Sequence, residues 1–316
     1  MKRAALFGDG PRVLEVFGKG RRERLASLTA LHPEVVTTVN FPAQAPRLAD
    51  LEVIFSTWGM PRLGPQEWAR LPELQALFHA AGTVRAFARP LLDRGVVLVS
   101  ARHANAVPVA EFALAQIVLA AKGYFRGVPG PGCCGETVAL LGAGAVGRAL
   151  IERLKGLDLS ILLYDPTLPK EEAARLGVEG VSFEAAFERG FVVSNHLPDL
   201  PETKGALGRD LFRRMRPGAT FLNTGRGATV VEAELAKVMA ERPDLTALLD
   251  VTWPEPPDAD SPLRGLPNVR LSPHLAGSIG DEVLRLADAS IEAFRSWELG
   301  EVPQGLVTPE TWPRLA

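Results

Sequence analysis

Three short segments set an arginine, a glutamate and a histidine just after apolar runs: Arg226 in LNTGRG, Glu255 in DVTWPEPP and His274 in SPHLAG. A guanidinium can hold a carboxylate through two parallel hydrogen bonds and polarise a carbonyl beside it. An imidazole can give and take a hydroxyl proton near neutral pH, and a carboxylate behind it fixes the ring and favours its charged form. Together they suit hydride exchange at C2 of a 2-hydroxy or 2-oxo acid. Each residue alone has a plainer reading. Arg226 between glycines can be a solvated turn residue, Glu255 a loop charge near Arg264, and His274 a cap on local backbone. Their joint placement favours chemistry, because ligands of open parallel sheets bind beyond the carboxyl ends of the strands. Thr224 follows the run ATFL and Asp250 ends LTALL, so both lie on the same expected rim.

The rim needs an electron carrier, and residues 137–154, TVALLGAGAVGRALIERL, point to one. An apolar run reads as a buried parallel strand. It feeds Gly142, Gly144 and Gly147 in the spacing G-x-G-x-x-G, followed by a helical pattern that includes Ala145 and Val146. The first glycine turns the chain, the second admits a pyrophosphate and the third lets helix pack on strand, while free helix N–H groups attract phosphate. A second strand, SILLYDP, brings Asp165 18 residues past Gly147, where a carboxylate can accept hydrogen bonds from both adenosine ribose hydroxyls. The same carboxylate repels a 2′-phosphate. NAD is therefore expected as cofactor in preference to NADP.

A chain of 316 residues is long enough for two domains with separate cores. With 35 Lys plus Arg against 37 Asp plus Glu, the net charge of −2 gives no reason to expect nucleic acid or an anionic membrane as partner. The cysteines are the neighbours Cys133 and Cys134, which cannot make an ordinary disulfide framework and fit a reducing compartment. The N-terminal apolar run is too short for a signal peptide. The apolar stretch 107–121 contains Glu111 and Gln116 and is read as too short to span a bilayer. A cytoplasmic protein is expected.

Strands are expected at 4–7 and in LEVIFSTW, LQALFHAAG and VVLVSA, giving a small βα domain in the first hundred residues. From Val107 to Phe125 the spacing is helical, with Pro108 placed in the first turn, where a missing N–H costs nothing. A Gly/Pro-rich connector, GVPGPGCCG, leads into the glycine motif. Beyond Asp165 the strands FVVSN, ATFLNT, LTALLDV and VRLSP alternate with the helices LGRDLFRRM and VVEAELAKVMA, and a last helix runs from about 281 to 298.

LNTGRG, DVTWPEPP and SPHLAG, in this order around the glycine motif and Asp165, resemble the motifs of the D-isomer-specific 2-hydroxyacid dehydrogenases. NHLPDLPETKGAL (195–207) is similar to that family's adenine-side loop, and NAVPVAEFALA (105–115) to the start of its interdomain helix. The resemblance runs from about residue 74 to the end. It implies an α/β fold of two doubly wound parallel-sheet domains. It also implies a Rossmann NAD-binding domain (103–288) inserted into a flavodoxin-like substrate domain (1–102 plus 289–316). It implies that Arg226 binds substrate, that Glu255 supports His274 as acid/base, and that Asp250 touches the nicotinamide carboxamide. His196, Pro198, Thr203, Thr224 and Gly277 would join the cofactor site, and the backbone at Ala81 and Gly82 would receive the substrate carboxylate.

Three departures stand out. The connector before Gly135 is short for a family in which nearby segments help to pair subunits into a homodimer. Pro108 stands where a hydroxyl residue is common. Val84 and Arg85 replace an acidic-amide pair. Arg85 can pair with Asp93 or stay solvated, or it can select a substrate with a second anionic group. The expected ligand is a small 2-hydroxy or 2-oxo acid, in the manner of a glyoxylate/hydroxypyruvate reductase or a phosphoglycerate dehydrogenase. The alternative is an NADH-sensing binding protein on the same fold. A formate dehydrogenase would need an amide at Glu255. His32, His79, His103 and His196 show no metal-ligand spacing, so no metal is expected.

Overall fold

Runs that are apolar at every position, rather than at every second one, make strands buried on both faces, and such strands belong in parallel sheets with helices on either side. The computed structural model, which describes residues 1–315, has that organisation twice. In chain order the first strands are β1 (Arg3–Phe7), β2 (Ala30–Leu31), β3 (Val53–Ser56), β4 (Ala76–His79) and β5 (Val97–Ser100). Then come β6 (Glu136–Leu141), β7 (Leu159–Tyr164), β8 (Glu179–Gly180), β9 (Val192–Asn195) and β10 (Thr220–Asn223). The last are β11 (Thr246–Leu249), β12 (Val269–Leu271) and β13 (Leu306–Val307). Every strand expected from the sequence is present. The two-residue strands β2, β8 and β13 are too short to show a pattern of their own.

Contacts divide the chain into one unit formed by Met1–Asn105 with Ser278–Ala316 and a second formed by Ala106–Gly277. In the first unit the order β2-β1-β3-β4-β5 is parallel and flavodoxin-like, and β13 adds an antiparallel edge on β5. One face is covered by Trp68, Leu71 and Leu91. The other is covered by Leu286, Ile291 and Phe294 of helix Val283–Glu298, with Phe294 edge-on to Phe55 and Phe78. That whole helix therefore packs in the first unit, which resumes at Ser278 rather than at 289, because its apolar stripe begins at Val283.

The second unit has the order β8-β7-β6-β9-β10-β11-β12, all parallel. Counted within the unit this is the Rossmann order, with one further strand at the β12 edge. Phe187, Phe212 and Phe221 pack on one face. Ala110, Ala113, Ile117, Leu150 and Ile151 pack on the other.

Helix Arg102–Ala121 corrects two expectations. It starts five residues before Val107, because Ser100 Oγ accepts the Arg102 N–H and Ala101 O accepts the N–H groups of Ala104 and Asn105. Pro108 is therefore inside the helix, where it removes the bond that Ala104 O would accept. The same early start gives 20 residues, long and apolar enough by composition to cross a membrane. Half of the helix is instead buried within the protein, through alanines and Ile117 that pack on the sheet.

Candidate active site

The carboxyl ends of β6 and β7 deliver the glycine turn. Gly142 has φ +99°, a region costly for any side chain, and its N–H donates to Tyr164 O, which ties the turn to β7. A Cβ on Gly147 would lie 2.1 Å from Gly142 O, so only glycine lets helix Ala145–Leu154 start this close to the strand. A Cβ on Gly144 meets nothing within 4 Å, so the space over the turn is open. The first helical bond runs from Arg148 N–H to Gly144 O. The N–H groups of Ala145, Val146 and Gly147 thus have no partner in the helix and point toward a place where an anion can sit. Asp165 follows β7 directly. One oxygen accepts Ala143 N–H at 2.8 Å and the other accepts Thr167 N–H and Oγ1–H, both at 2.8 Å. Turn and Asp165 are thereby locked together, and these residues fit a dinucleotide.

Loop 195–203 runs against the same turn, for a Cβ on Gly142 would meet His196 O at 3.0 Å. Thr203 staples this loop, donating to Pro198 O at 2.5 Å and accepting Leu200 N–H at 3.0 Å. His196 shares a proton with Ser194 Oγ at 2.8 Å and lies 3.4 Å from Thr224 Oγ1, and burial pushes its pKa down to about 4. The ring is therefore neutral at pH 7.

Arg226 follows β10 and is positioned by a buried amide network that the sequence reading missed. Asn195 Nδ2 donates to Asn223 Oδ1 and to Thr229 Oγ1, both at 2.9 Å. Thr229 Oγ1 donates to Arg226 O at 2.7 Å, and Gly225 N–H donates to Asn223 Oδ1 at 3.1 Å. The available signal was a polar residue ending each of the apolar strands β9 and β10. The Arg226 guanidinium donates to Gly225 O at 2.8 Å. Burial lowers its pKa, while the Asp199 and Glu255 carboxylates oppose that shift.

His274 Nδ1–H donates to Glu255 Oε1 at 2.5 Å, so the two proposed acid/base residues are in direct contact. His274 stands at φ +55°, a conformation few non-glycine residues adopt and one that recurs at functional positions. Asp250, at the end of β11 and 3% exposed, holds the backbone there. Its carboxylate accepts Ser272 Oγ–H at 2.6 Å, Leu275 N–H at 2.8 Å and Ala276 N–H at 2.9 Å. Both oxygens are thus committed to the loop that runs through His274 to Gly277. Arg264 donates to Asp258 O and Pro257 O, while Glu255 pairs with His274.

In the first unit the chain after β4 runs Ala80-Ala81-Gly82-Thr83-Val84. None of the N–H groups of 81 to 84 donates to a protein acceptor among the described residues. Ala81 and Val84 are each only 1% exposed, and buried N–H groups without a partner are rare. Such a row of donors suits an anion. Asn105 Nδ2 lies 3.9 Å from where a Gly82 Cβ would be, and its Oδ1 accepts Ser278 N–H at 3.1 Å. The sequence alone offered Asn105 only as one letter of a motif. Arg85 Nη1 donates to Leu315 O at 2.7 Å and to Pro313 O at 3.4 Å, whereas Asp93 pairs with Arg89. His79 ends β4 buried against Ser56 Oγ at 2.8 Å, and burial lowers its pKa to about 3.

The family described as "D-isomer specific 2-hydroxyacid dehydrogenase, NAD binding domain" matches residues 117–276, half of the chain. The D-3-phosphoglycerate dehydrogenase of Archaeoglobus fulgidus is 34% identical over 210 residues, 61% of this chain and 39% of that protein. The glyoxylate reductase of Korarchaeum cryptofilum is 36% identical over 176 residues, 56% of this chain and 53% of that one. The chain thus spans about half or less of the length of these relatives. Among solved structures, a phosphoglycerate oxidoreductase from Rhizobium etli superimposes with TM-score 0.82 at 24% identity, covering 99% of this chain and 100% of that one. The D-mandelate dehydrogenase of Rhodotorula graminis gives TM-score 0.82 at 20% identity over 97% of each chain. Those two likenesses concern the fold. The matched family span contains the glycine turn, Asp165, Arg226, Glu255 and His274 in one stretch of sequence, and on that match the chain belongs to the D-isomer specific 2-hydroxyacid dehydrogenases.

Proposed function

We propose that the protein is an NAD-dependent oxidoreductase that interconverts a small 2-hydroxy acid and its 2-oxo acid. The observation that carries this reading is the 2.5 Å contact of His274 with Glu255, with Arg226 near enough for its charge to feel Glu255. NADH, when bound, supplies the hydride that goes to C2. In that direction His274 gives the proton on Nε2 to the carbonyl oxygen, while Glu255 holds Nδ1–H and stabilises the charged ring. In the other direction His274 takes the hydroxyl proton. Arg226 holds the carboxylate edge and polarises the carbonyl; the first unit, taken by itself, offers the free N–H groups of 81 to 84 to a carboxylate. Asp250 keeps the His274 loop in place; its contact with the nicotinamide carboxamide is part of the same proposal, as are the roles of His196, Pro198, Thr203, Thr224 and Gly277 around the cofactor.

The relatives named for phosphoglycerate and glyoxylate set the range of substrates. Arg85 is already engaged by backbone carbonyls, so a small monoanionic acid such as glyoxylate or hydroxypyruvate is the favoured class. NADH oxidation measured with glyoxylate, hydroxypyruvate and phosphohydroxypyruvate tests this reading. Turnover with none of them rejects the activity, and a clear preference for the phosphate ester rejects the monoanionic class. Asp165 makes NADH the better cofactor by at least about tenfold in kcat/KM, roughly 1.4 kcal/mol, and Asp165→Ser should narrow that gap. Equal kcat/KM for NADH and NADPH in the unaltered protein would end the assignment.

The same reading includes a homodimer in a reducing, cytoplasmic compartment. Exposed Leu119, Tyr124 and Val128, on and just after helix Arg102–Ala121, support the dimer, and two free cysteines support the compartment. A monomer mass by sedimentation at micromolar concentration rules the dimer out.

A further inference from the structure

The donor row at 81–84 has its direction imposed from behind. In a trans peptide the carbonyl of one residue and the N–H of the next point opposite ways. Whatever holds a carbonyl therefore aims the following N–H. Thr57 Oγ1–H donates to Ala80 O at 2.9 Å, which turns the Ala81 N–H outward. Ser100 Oγ–H is shared between Gly82 O and Ala81 O, the latter at 3.3 Å, which turns out the N–H groups of Gly82 and Thr83. The Ser100 oxygen also accepts Arg102 N–H at 3.2 Å. With a lone pair engaged there, its proton is left to point at the turn. Both hydroxyls are inaccessible to solvent, Thr57 at 0% and Ser100 at 1% exposure, so water does not substitute for them.

We infer that Ser100 and Thr57 are positioning residues that set the affinity of the 81–84 turn for the substrate carboxylate, by fixing its carbonyls inward and its N–H groups outward. The inference rests on the reading that this turn receives the carboxylate. Neither side chain touches the substrate. Their effect is on binding through the backbone, and it should leave the hydride and proton steps alone.

The test compares Ser100→Ala, Thr57→Val and Thr57→Ser with the unaltered protein, using glyoxylate and NADH. Removing one hydroxyl should raise the glyoxylate KM about two- to tenfold, the effect of one neutral hydrogen bond, with kcat and the NADH Kd unchanged. Thr57→Ser keeps the donor and should keep the KM. If Ser100→Ala does not fold, the Thr57 pair carries the comparison alone. Gly82→Val, which crowds the turn itself, separates two kinds of failure. If Gly82→Val raises KM while Ser100→Ala and Thr57→Val do not, the hydroxyls have no positioning role and the carboxylate reading stands. An unchanged KM in all variants overturns both. Equal changes in kcat and NADH affinity would make the hydroxyls merely structural and overturn the inference.

Discussion

His274 carries the proton in the proposed reaction, and its surroundings are built to orient it. Glu255 holds Nδ1, Asp250 fixes the loop through three donors, and the backbone stands at φ +55°. The ring must arrive protonated for reduction and neutral for oxidation. His274→Ala should lower kcat by about 10²- to 10⁴-fold in both directions and leave the NADH Kd unchanged. Steady-state rates in both directions, with a fluorescence titration of NADH, read both. A His274→Ala protein that keeps normal turnover removes the residue from the mechanism.

At the scale of elements, the strand-turn-helix from β6 into helix Ala145–Leu154 depends on glycines for different reasons. Gly147 is needed for packing, since a Cβ there falls 2.1 Å from a backbone oxygen. Gly144 is needed for open space, since a Cβ there meets no protein atom within 4 Å. The two therefore separate stability from binding. Gly147→Ala should destabilise the protein by about 1–3 kcal/mol through overpacking and weaken NADH as well. Gly144→Ala should leave the melting temperature in place and still weaken NADH at least about tenfold, roughly 1.4 kcal/mol. Thermal unfolding and NADH titration of both variants check the contrast. A stable Gly147→Ala with full affinity would show that the helix can back away from the strand.

For the whole molecule, the histidines that burial shifts furthest are His79 in the first unit and His196 in the second. Burial lowers their pKa values to about 3 and about 4, below the ordinary value near 6.5. Below pH 6.5 the unfolded chain takes up protons that the folded chain refuses. Stability from both groups is therefore complete above about 6.5 and is lost as pH falls. The His196 contribution is gone by about pH 4 and that of His79 by about pH 3. Melting temperature recorded from pH 7 to pH 4 should fall, and His79→Gln should flatten the curve. A curve equally steep in that variant would move the acid sensitivity elsewhere.

What could be read from the order of residues is what depends on neighbours in the chain. Apolar runs showed the strands, the spacing of Gly142, Gly144 and Gly147 showed the dinucleotide turn, and a resemblance of short motifs linked Arg226, Glu255 and His274. Each of these is a local pattern, imposed by burial on both faces of a sheet or by a tight turn. The helix at Arg102–Ala121 begins before its apolar pattern does, because its start is set by Ser100 Oγ and Ala101 O, and a hydrogen bond leaves no periodicity. Only the folded chain brings Asn195, Asn223 and Thr229, which come from separate segments, into one network behind Arg226. Only the folded chain commits the Asp250 carboxylate to the His274 loop and Arg85 to the carbonyls of Pro313 and Leu315. Sequence spacing reports which side chains share a face or a turn. Which donor meets which acceptor across 25 or 230 residues is decided by the packing of strands and loops, because hydrogen bonds require a fixed distance and angle that only tertiary structure supplies.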